Sequence, residues 1–139
     1  GFCLRTAGVA RDLGVDLTLG TRRRVPTLVA RQAAARRRAS RVSRMAKAFR
    51  GARRLALSGV RPQQGWGAAA VGASPDQLRS QRRALLTAAG GTIGAGRCTA
   101  TALATVLGAN ADPFITCPVE ALSLFYKLWC NWNIICSIR

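Results

Sequence analysis

Apolar and polar positions follow a few distinct rhythms along the chain. From Asp12 to Thr18 they alternate with a period of two, Leu13, Val15 and Leu17 falling on one side. That is the pattern of a short, half-buried strand, closed by Leu19-Gly20. One strand cannot make a sheet, so its partners are expected outside this chain. Between Thr27 and Leu57 the rhythm changes. Val42, Met45, Phe49, Ala52 and Ala56 step by three and four, Ala35 and Ala39 extend the stripe backwards, and Leu55 widens it near its end. Gly51 is the one poor helix former in that run, and Pro26 suits a first helical turn. The pattern predicts one long amphipathic helix, ended by Ser58-Gly59 and Pro62.

Beyond it, Gly65, Gly67 and Gly72 predict an open connector around Trp66. Ser74-Pro75-Asp76-Gln77 then spells a helix start, with Ser as N-cap, Pro at N1, Asp facing the positive helix end and Gln completing a capping box. This helix is expected to stop at Gly90-Gly91, with Leu78, Leu85, Leu86 and Ala89 inward and Arg79, Arg82 and Arg83 outside. Thr99 to Leu107 predicts a short buried helix ended by Gly108. Asp112-Pro113 and Cys117-Pro118-Val119-Glu120 are two further start signals. The last helix is expected from about Pro118 to Cys130, with Leu122, Phe125, Tyr126 and Trp129 packing. The fold class expected is mainly α, a helical bundle with one long basic helix and a short N-terminal strand.

Two features near the C-terminus stand apart. Val119 to Ile138 is apolar, but Glu120, Lys127, Asn131 and Asn133 interrupt it, which weighs against a membrane-spanning helix. Asn131-Trp132-Asn133-Ile134-Ile135 lacks the Arg, Ala and Gly that dominate elsewhere. It reads as a tail of separate origin, such as read-through past a damaged open reading frame. The same tail in a longer relative would refute that. The chain opens on Gly1 rather than Met, with no charged-then-apolar leader, and reads as part of something longer.

Charge changes the picture most. The 139 residues carry 22 Lys+Arg against 5 Asp+Glu, a net charge of +17, while nearly half the chain is apolar. The apolar share argues against wholesale disorder, and the charge creates a positive field that attracts polyphosphates. Lys47 and Lys127 are the only lysines, so 20 of the 22 basic residues are arginine, whose planar fork binds phosphate oxygens in pairs. A GC-rich coding sequence favours Arg, Ala and Gly together and accounts for part of that choice. It does not account for the scarcity of acids. Arg22 to Arg61 holds 14 basic residues and no acidic one. The candidate nucleic-acid-binding residues are Arg36, Arg37, Arg38, Arg41, Arg44, Lys47, Arg50, Arg53 and Arg54.

Other chemistry is thin. With no histidine, and acids spread at Asp12, Asp16, Asp76, Asp112 and Glu120, a Ser-His-Asp triad is excluded and clustered carboxylates for two metals are lacking. Asp12 and Asp16 share a face if they share a strand, where solvated side chains are the simpler reading. Gly90-Gly91-Thr92-Ile93-Gly94-Ala95-Gly96-Arg97 follows a helix and lacks a G-K-[ST] ending, so it reads as a turn rather than a phosphate loop. Cys3, Cys98, Cys117, Cys130 and Cys136 lack the close spacing of zinc ligands and fit a reducing, intracellular setting. No catalytic, metal-binding or cofactor-binding residue is expected in this chain.

The order of features resembles the end of the reverse transcriptase domain of non-LTR (LINE-type) retrotransposons. Leu13-Gly14-Val15 resembles that family's "Y-L-G-V/I" strand leading into the thumb. Gly59-Val60-Arg61-Pro62-Gln63-Gln64-Gly65-Trp66-Gly67-Ala68 is similar to its "s-G-v-x-P-x-x-x-Y-G-a" segment, and Val71-Gly72-Ala73-Ser74 falls where "v-w-G-l-s/t" follows. Asp12 stands where the family has an aromatic, and Trp66 where it has Tyr. The likeness covers about residues 9 to 90 and implies the end of a palm-like region over 1–20 and a thumb-like region over 21–90. A C-terminal helical region over 91–130 and the tail over 131–139 follow. The paired aspartates of the family's palm, which would hold magnesium, are absent from this sequence. The resemblance thus implies a nuclear, duplex-gripping thumb without its catalytic part, with RNA or an RNA–DNA duplex as partner. No small-molecule substrate and no membrane partner are expected. A stand-alone basic helical RNA- or DNA-binding module, and a retroelement remnant without function, are the competing readings.

Overall fold

The computed structural model of the protein describes residues 9–12, 15–18, 26–90 and 98–137. It is mainly α. At the N-terminal end β1 (Val9–Asp12) pairs antiparallel with β2 (Val15–Thr18), Asp12 lying opposite Val15. The run from Asp12 to Thr18 is therefore not one continuous strand, because the chain reverses within it.

Helix α1 (Pro26–Ala48) buries Leu28, Gln32, Ala35, Ala39, Val42 and Ala46, a stripe stepping strictly by four and three. Of the stripe expected from the sequence, Ala35, Ala39, Val42, Ala52 and Ala56 are buried, but Met45 is 50% and Phe49 71% exposed, and Leu55 is exposed too. After Val42 the buried stripe steps four to Ala46 rather than three to Met45, and both steps obey helical spacing. The helix also ends earlier than expected. Phe49 has an extended backbone (φ −129°, ψ 114°), a 3-10 turn over Arg50–Arg53 follows, and a π turn covers Ala56–Val60. Continuing α1 would carry its buried stripe onto Phe49 or Arg50 and then Arg53, driving guanidinium charge into the seam. The break resets the phase so that Ala52, Ala56 and Val60 face inward instead.

Ser58-Gly59 and Pro62 do not end the helical path. Pro62 lies in the first turn of α2 (Arg61–Gly65), where its missing N–H costs nothing. The expected open connector is also structured. Trp66 and Gly67 turn the chain into α3 (Ala68–Val71), and Gly67 (φ 79°) and Gly72 (φ 74°) take left-handed backbone that a side chain would strain.

Helix α4 (Pro75–Ala88) starts on the expected capping box, with both halves formed. Gln77 N donates to Ser74 Oγ at 3.3 Å, and Ser74 N donates to Gln77 Oε1 at 2.9 Å. It ends at Gly90 (φ 75°); residues 91–97 of the glycine-rich stretch lie outside the described residues, as do Arg22, Arg23 and Arg24. Leu85, Leu86 and Ala89 are buried as expected, while Leu78 is half-buried and Gln81, Ala84 and Ala88 complete the inner face. Helix α5 (Thr99–Leu107) has the expected bounds, closed by Gly108 (φ 89°), but is more exposed than expected, Leu103 being its buried residue.

Helix α6 (Pro113–Ser137) begins at Asp112-Pro113 and not at Pro118, which lies inside it. The Asp112 carboxylate explains the earlier start, accepting the Phe114 N–H at 3.0 Å as an N-cap. Leu122, Phe125, Tyr126 and Trp129 do not pack as expected. All four are exposed, Phe125 and Trp129 stacking on each other at 6.3 Å. The tail's backbone continues this helix to Ser137.

The core lies where α1 packs along α4, with the π turn and α5 closing it. Six of its eleven buried members are alanine, with Leu85, Leu86, Leu103 and Val60 the largest fully buried side chains among them. Two buried glutamines bind α2 to α4 reciprocally. Gln64 Nε2 donates to the Gln81 carbonyl and Gln81 Nε2 to the Gln64 carbonyl, each at 3.3 Å. Buried amides satisfied in this way avoid a desolvation penalty and fix the register of the two helices.

Candidate nucleic-acid interface

The buried stripe of α1 decides where its cations point. With 3.6 residues per turn, Arg37, Arg41 and Arg44 fall on the side opposite Ala35, Ala39 and Val42. All three are exposed, and their spacing of four and three places them in one row along the helix. Arg36 and Lys47, both exposed, share the flank nearer α4. Arg38 lies on the other flank and donates to the Gly59 carbonyl at 3.2 Å, clasping the π turn. It is thus committed to the fold in a way its position in the sequence does not suggest.

Arg50, Arg53 and Arg54 are not on the α1 face. They follow the break at Phe49, on the 3-10 turn and just after it. Arg50 and Arg54 are exposed; Arg53 is half-buried, its Nε having no hydrogen-bond partner among the described residues. The nine candidates therefore divide into a solvent-facing row, a flank towards α4, one structural clasp and a separate cluster beyond the helix end.

Their electrostatics are one-sided. Each acid whose side chain is described is engaged elsewhere: Asp76 with Arg79 at 2.8 Å, Glu120 with Arg61 at 3.2 Å, and Asp112 with Arg82 at 2.7 Å. Among the described residues no carboxylate pairs with the α1 cations. Arg37 and Arg41 stand four residues apart, where like charges disfavour a bare helix by a few tenths of a kcal/mol per pair, about the amount a phosphate partner would relieve.

Helix α4 adds cations that the sequence pattern left as generic surface. Between α1 and α4 runs an open groove of about 680 Å³, with Arg36 on one wall and Arg79 and Arg83 on the other. Ala39 and Ala84, both nearly fully buried, form its floor. Arg82, expected outside with these two, is instead turned inward. It holds Asp112 through both nitrogens of its fork and lies over the Phe114 ring at 4.3 Å. The i,i+4 spacing of Arg79 and Arg83 on a capped helix was a usable signal for the groove; the inward turn of Arg82 had none.

Other candidate chemistry is sparse. Trp66, the aromatic of the family-like segment, is exposed on the rim of a hollow of about 320 Å³ that also holds Arg61 and Glu120. Cys98 is exposed and immediately precedes α5. Hydrogen bonding to the Thr101 hydroxyl first, then to the backbone N–H groups of Thr101 and Ala100, favours the thiolate and lowers its pKa, with Arg82 adding a smaller pull. Among the described residues no three His, Cys, Asp or Glu side chains gather as metal ligands, and no helix is long and apolar enough to cross a membrane.

No family model, curated protein or solved structure matches this chain.

Proposed function

We propose that the protein binds nucleic acid through the phosphates of its backbone, without base-specific readout, and acts as the thumb-like part of a retroelement RNA-directed DNA polymerase whose chemistry is done by residues outside this chain. The observation that carries the binding half is the row Arg37, Arg41 and Arg44. It is exposed, unopposed by acid and set on a helix whose other face is fixed in the core. Arginines held on a rigid helix meet phosphate oxygens with little ordering cost, and their forks suit pairs of anionic oxygens. The retroelement half rests on the family-like segments around Leu13-Gly14-Val15 and Gly59–Ala68. In this reading the residues before α1 belong to the end of a palm-like region, and RNA or an RNA–DNA duplex is the partner.

Titration of the full chain against a labelled RNA–DNA duplex at increasing salt tests the binding half. The logarithm of the binding constant should fall linearly with the logarithm of salt concentration, by roughly 0.7–0.9 per phosphate neutralised. Replacing Arg37, Arg41 and Arg44 by Gln should weaken binding to every sequence alike and flatten that slope by roughly 2 to 2.7. Salt-independent affinity would refute the reading. A loss confined to one sequence would indicate base readout instead.

A further inference from the structure

The groove between α1 and α4 lies off the arginine row and is not used by it. We propose that it seats a single sugar–phosphate strand, with Arg36, Arg79 and Arg83 as the phosphate-binding groups and Asp76 as a built-in competitor for Arg79. This rests on the nucleic-acid reading above and extends it to a second helix and a mode of attenuation.

Three observations converge. First, the groove's cations come from two helices, Arg36 from α1 and Arg79 and Arg83 from α4, so they face a shared space. A strand lying there is gripped from both walls. Second, Arg79 and Arg83 are four residues apart on one helix, a rise of about 6 Å. That is close to the separation of successive phosphates on one strand, so each guanidinium can serve its own phosphate. Third, the small floor residues Ala39 and Ala84 let a chain sit down between the walls.

Two of the hydroxyls along the groove are already committed as donors. Ser40 Oγ donates to the Arg36 carbonyl at 3.3 Å, and Thr87 Oγ1 donates to the Arg83 carbonyl at 2.9 Å. The guanidiniums, with the Ser80 hydroxyl between them on α4, are left as the groups that can donate to an anion. The groove is open and some 680 Å³ in extent, larger than one phosphate needs, and its cations are distributed rather than converged on a point. A polymer that presents phosphate after phosphate uses such a site; an isolated small anion does not.

Asp76 supplies the attenuation. Its Oδ1 accepts from Arg79 Nη1 at 2.8 Å, with both side chains well exposed. An exposed pair of this kind is weak and readily exchanged. A phosphate arriving at the groove displaces the carboxylate from Arg79, and the carboxylate's charge opposes the strand throughout.

The test uses the full chain and a labelled single-stranded RNA, read by fluorescence anisotropy over a range of salt. R79Q/R83Q should lower affinity about tenfold at low salt and flatten the salt slope by about two, while R79K/R83K retains most of the slope. D76N should raise affinity several-fold at low salt, with its fold verified by a thermal melt. If R79Q/R83Q binds as the parent while the Arg37/Arg41/Arg44 triple variant loses affinity, the groove proposal fails and the phosphate reading stands. If neither variant changes binding, the phosphate reading fails as well. Unchanged affinity in folded D76N overturns the competitor role. Pyrophosphate competing with the RNA as strongly, per phosphate, as a longer strand does would make the groove a small-anion site and overturn the strand.

Discussion

Arg82 on α4 and Asp112 at the head of α6 meet across 30 residues of sequence in a two-pronged ion pair with contacts of 2.7, 2.9 and 3.1 Å. The pair is largely withdrawn from water, its side chains 18% and 10% exposed. The same carboxylate caps α6 through the Phe114 N–H, and the same guanidinium covers the Phe114 ring. One contact thus orients α6 on the body and fixes where it begins.

Breaking that pair should be costly. R82M leaves a buried carboxylate without its partner, and a loss of about 3 kcal/mol is expected in urea unfolding. D112A removes cap and partner together and should cost at least as much. A double replacement R82M/D112L should recover part of the loss, since it leaves no unpaired charge. R82M within about 0.5 kcal/mol of the parent would show that the contact contributes little.

The two possible stripes on α1 differ in a measurable way. Met45 and Phe49 are exposed, so M45S and F49S should each change stability by less than about 0.5 kcal/mol. If they were core residues the cost would be roughly 2–5 kcal/mol. Ala39 is buried against α4, and A39L should cost about 1–3 kcal/mol by overpacking.

The start of α4 rests on its capping box. S74A removes the acceptor for the Gln77 N–H and should cost about 1 kcal/mol, whereas S74G should cost only a few tenths. Chemical denaturation with circular dichroism measures both.

Cys98 carries a pH dependence of definite sign. Thr101 and the first N–H groups of α5 favour its thiolate, so its pKa lies lower in the folded chain than in the unfolded one. The stabilisation this gives is absent at acid pH, where the thiol is protonated in both states, and appears as pH rises into the thiol range. Alkylation of Cys98 by iodoacetamide should therefore set in at lower pH in the native protein than in urea, and T101V should move the onset upward. Identical native and denatured profiles would contradict the geometry.

The exposed aromatic and leucine side chains of α6 should matter little to folding. L122S/F125S/W129S is expected to melt within a few degrees of the parent and to stay soluble at higher concentration. A loss of more than about 3 kcal/mol would place those side chains in a core.

The amino-acid sequence by itself determined those features whose causes are local. The capping box at Ser74-Gln77, the bounds of α5, the glycine stops at Gly90 and Gly108 and the mainly helical fold class all follow from residues within a turn or two of each other. The concentration of cations on α1 was equally legible, because charge is counted rather than packed. What tertiary structure decided was phase, partner and direction. From Val42 the apolar stripe of α1 can step three to Met45 or four to Ala46, both helical spacings, and the packed structure buries Ala46 and leaves Met45 and Phe49 outside. Pro62 reads as a terminator locally, yet it starts a helix, because a proline's missing N–H has no cost in a first turn. The inward turn of Arg82, the clasp of Arg38 on Gly59 and the groove shared by Arg36, Arg79 and Arg83 all join residues far apart in sequence. No local period encodes such meetings; they exist only once the helices have been brought together.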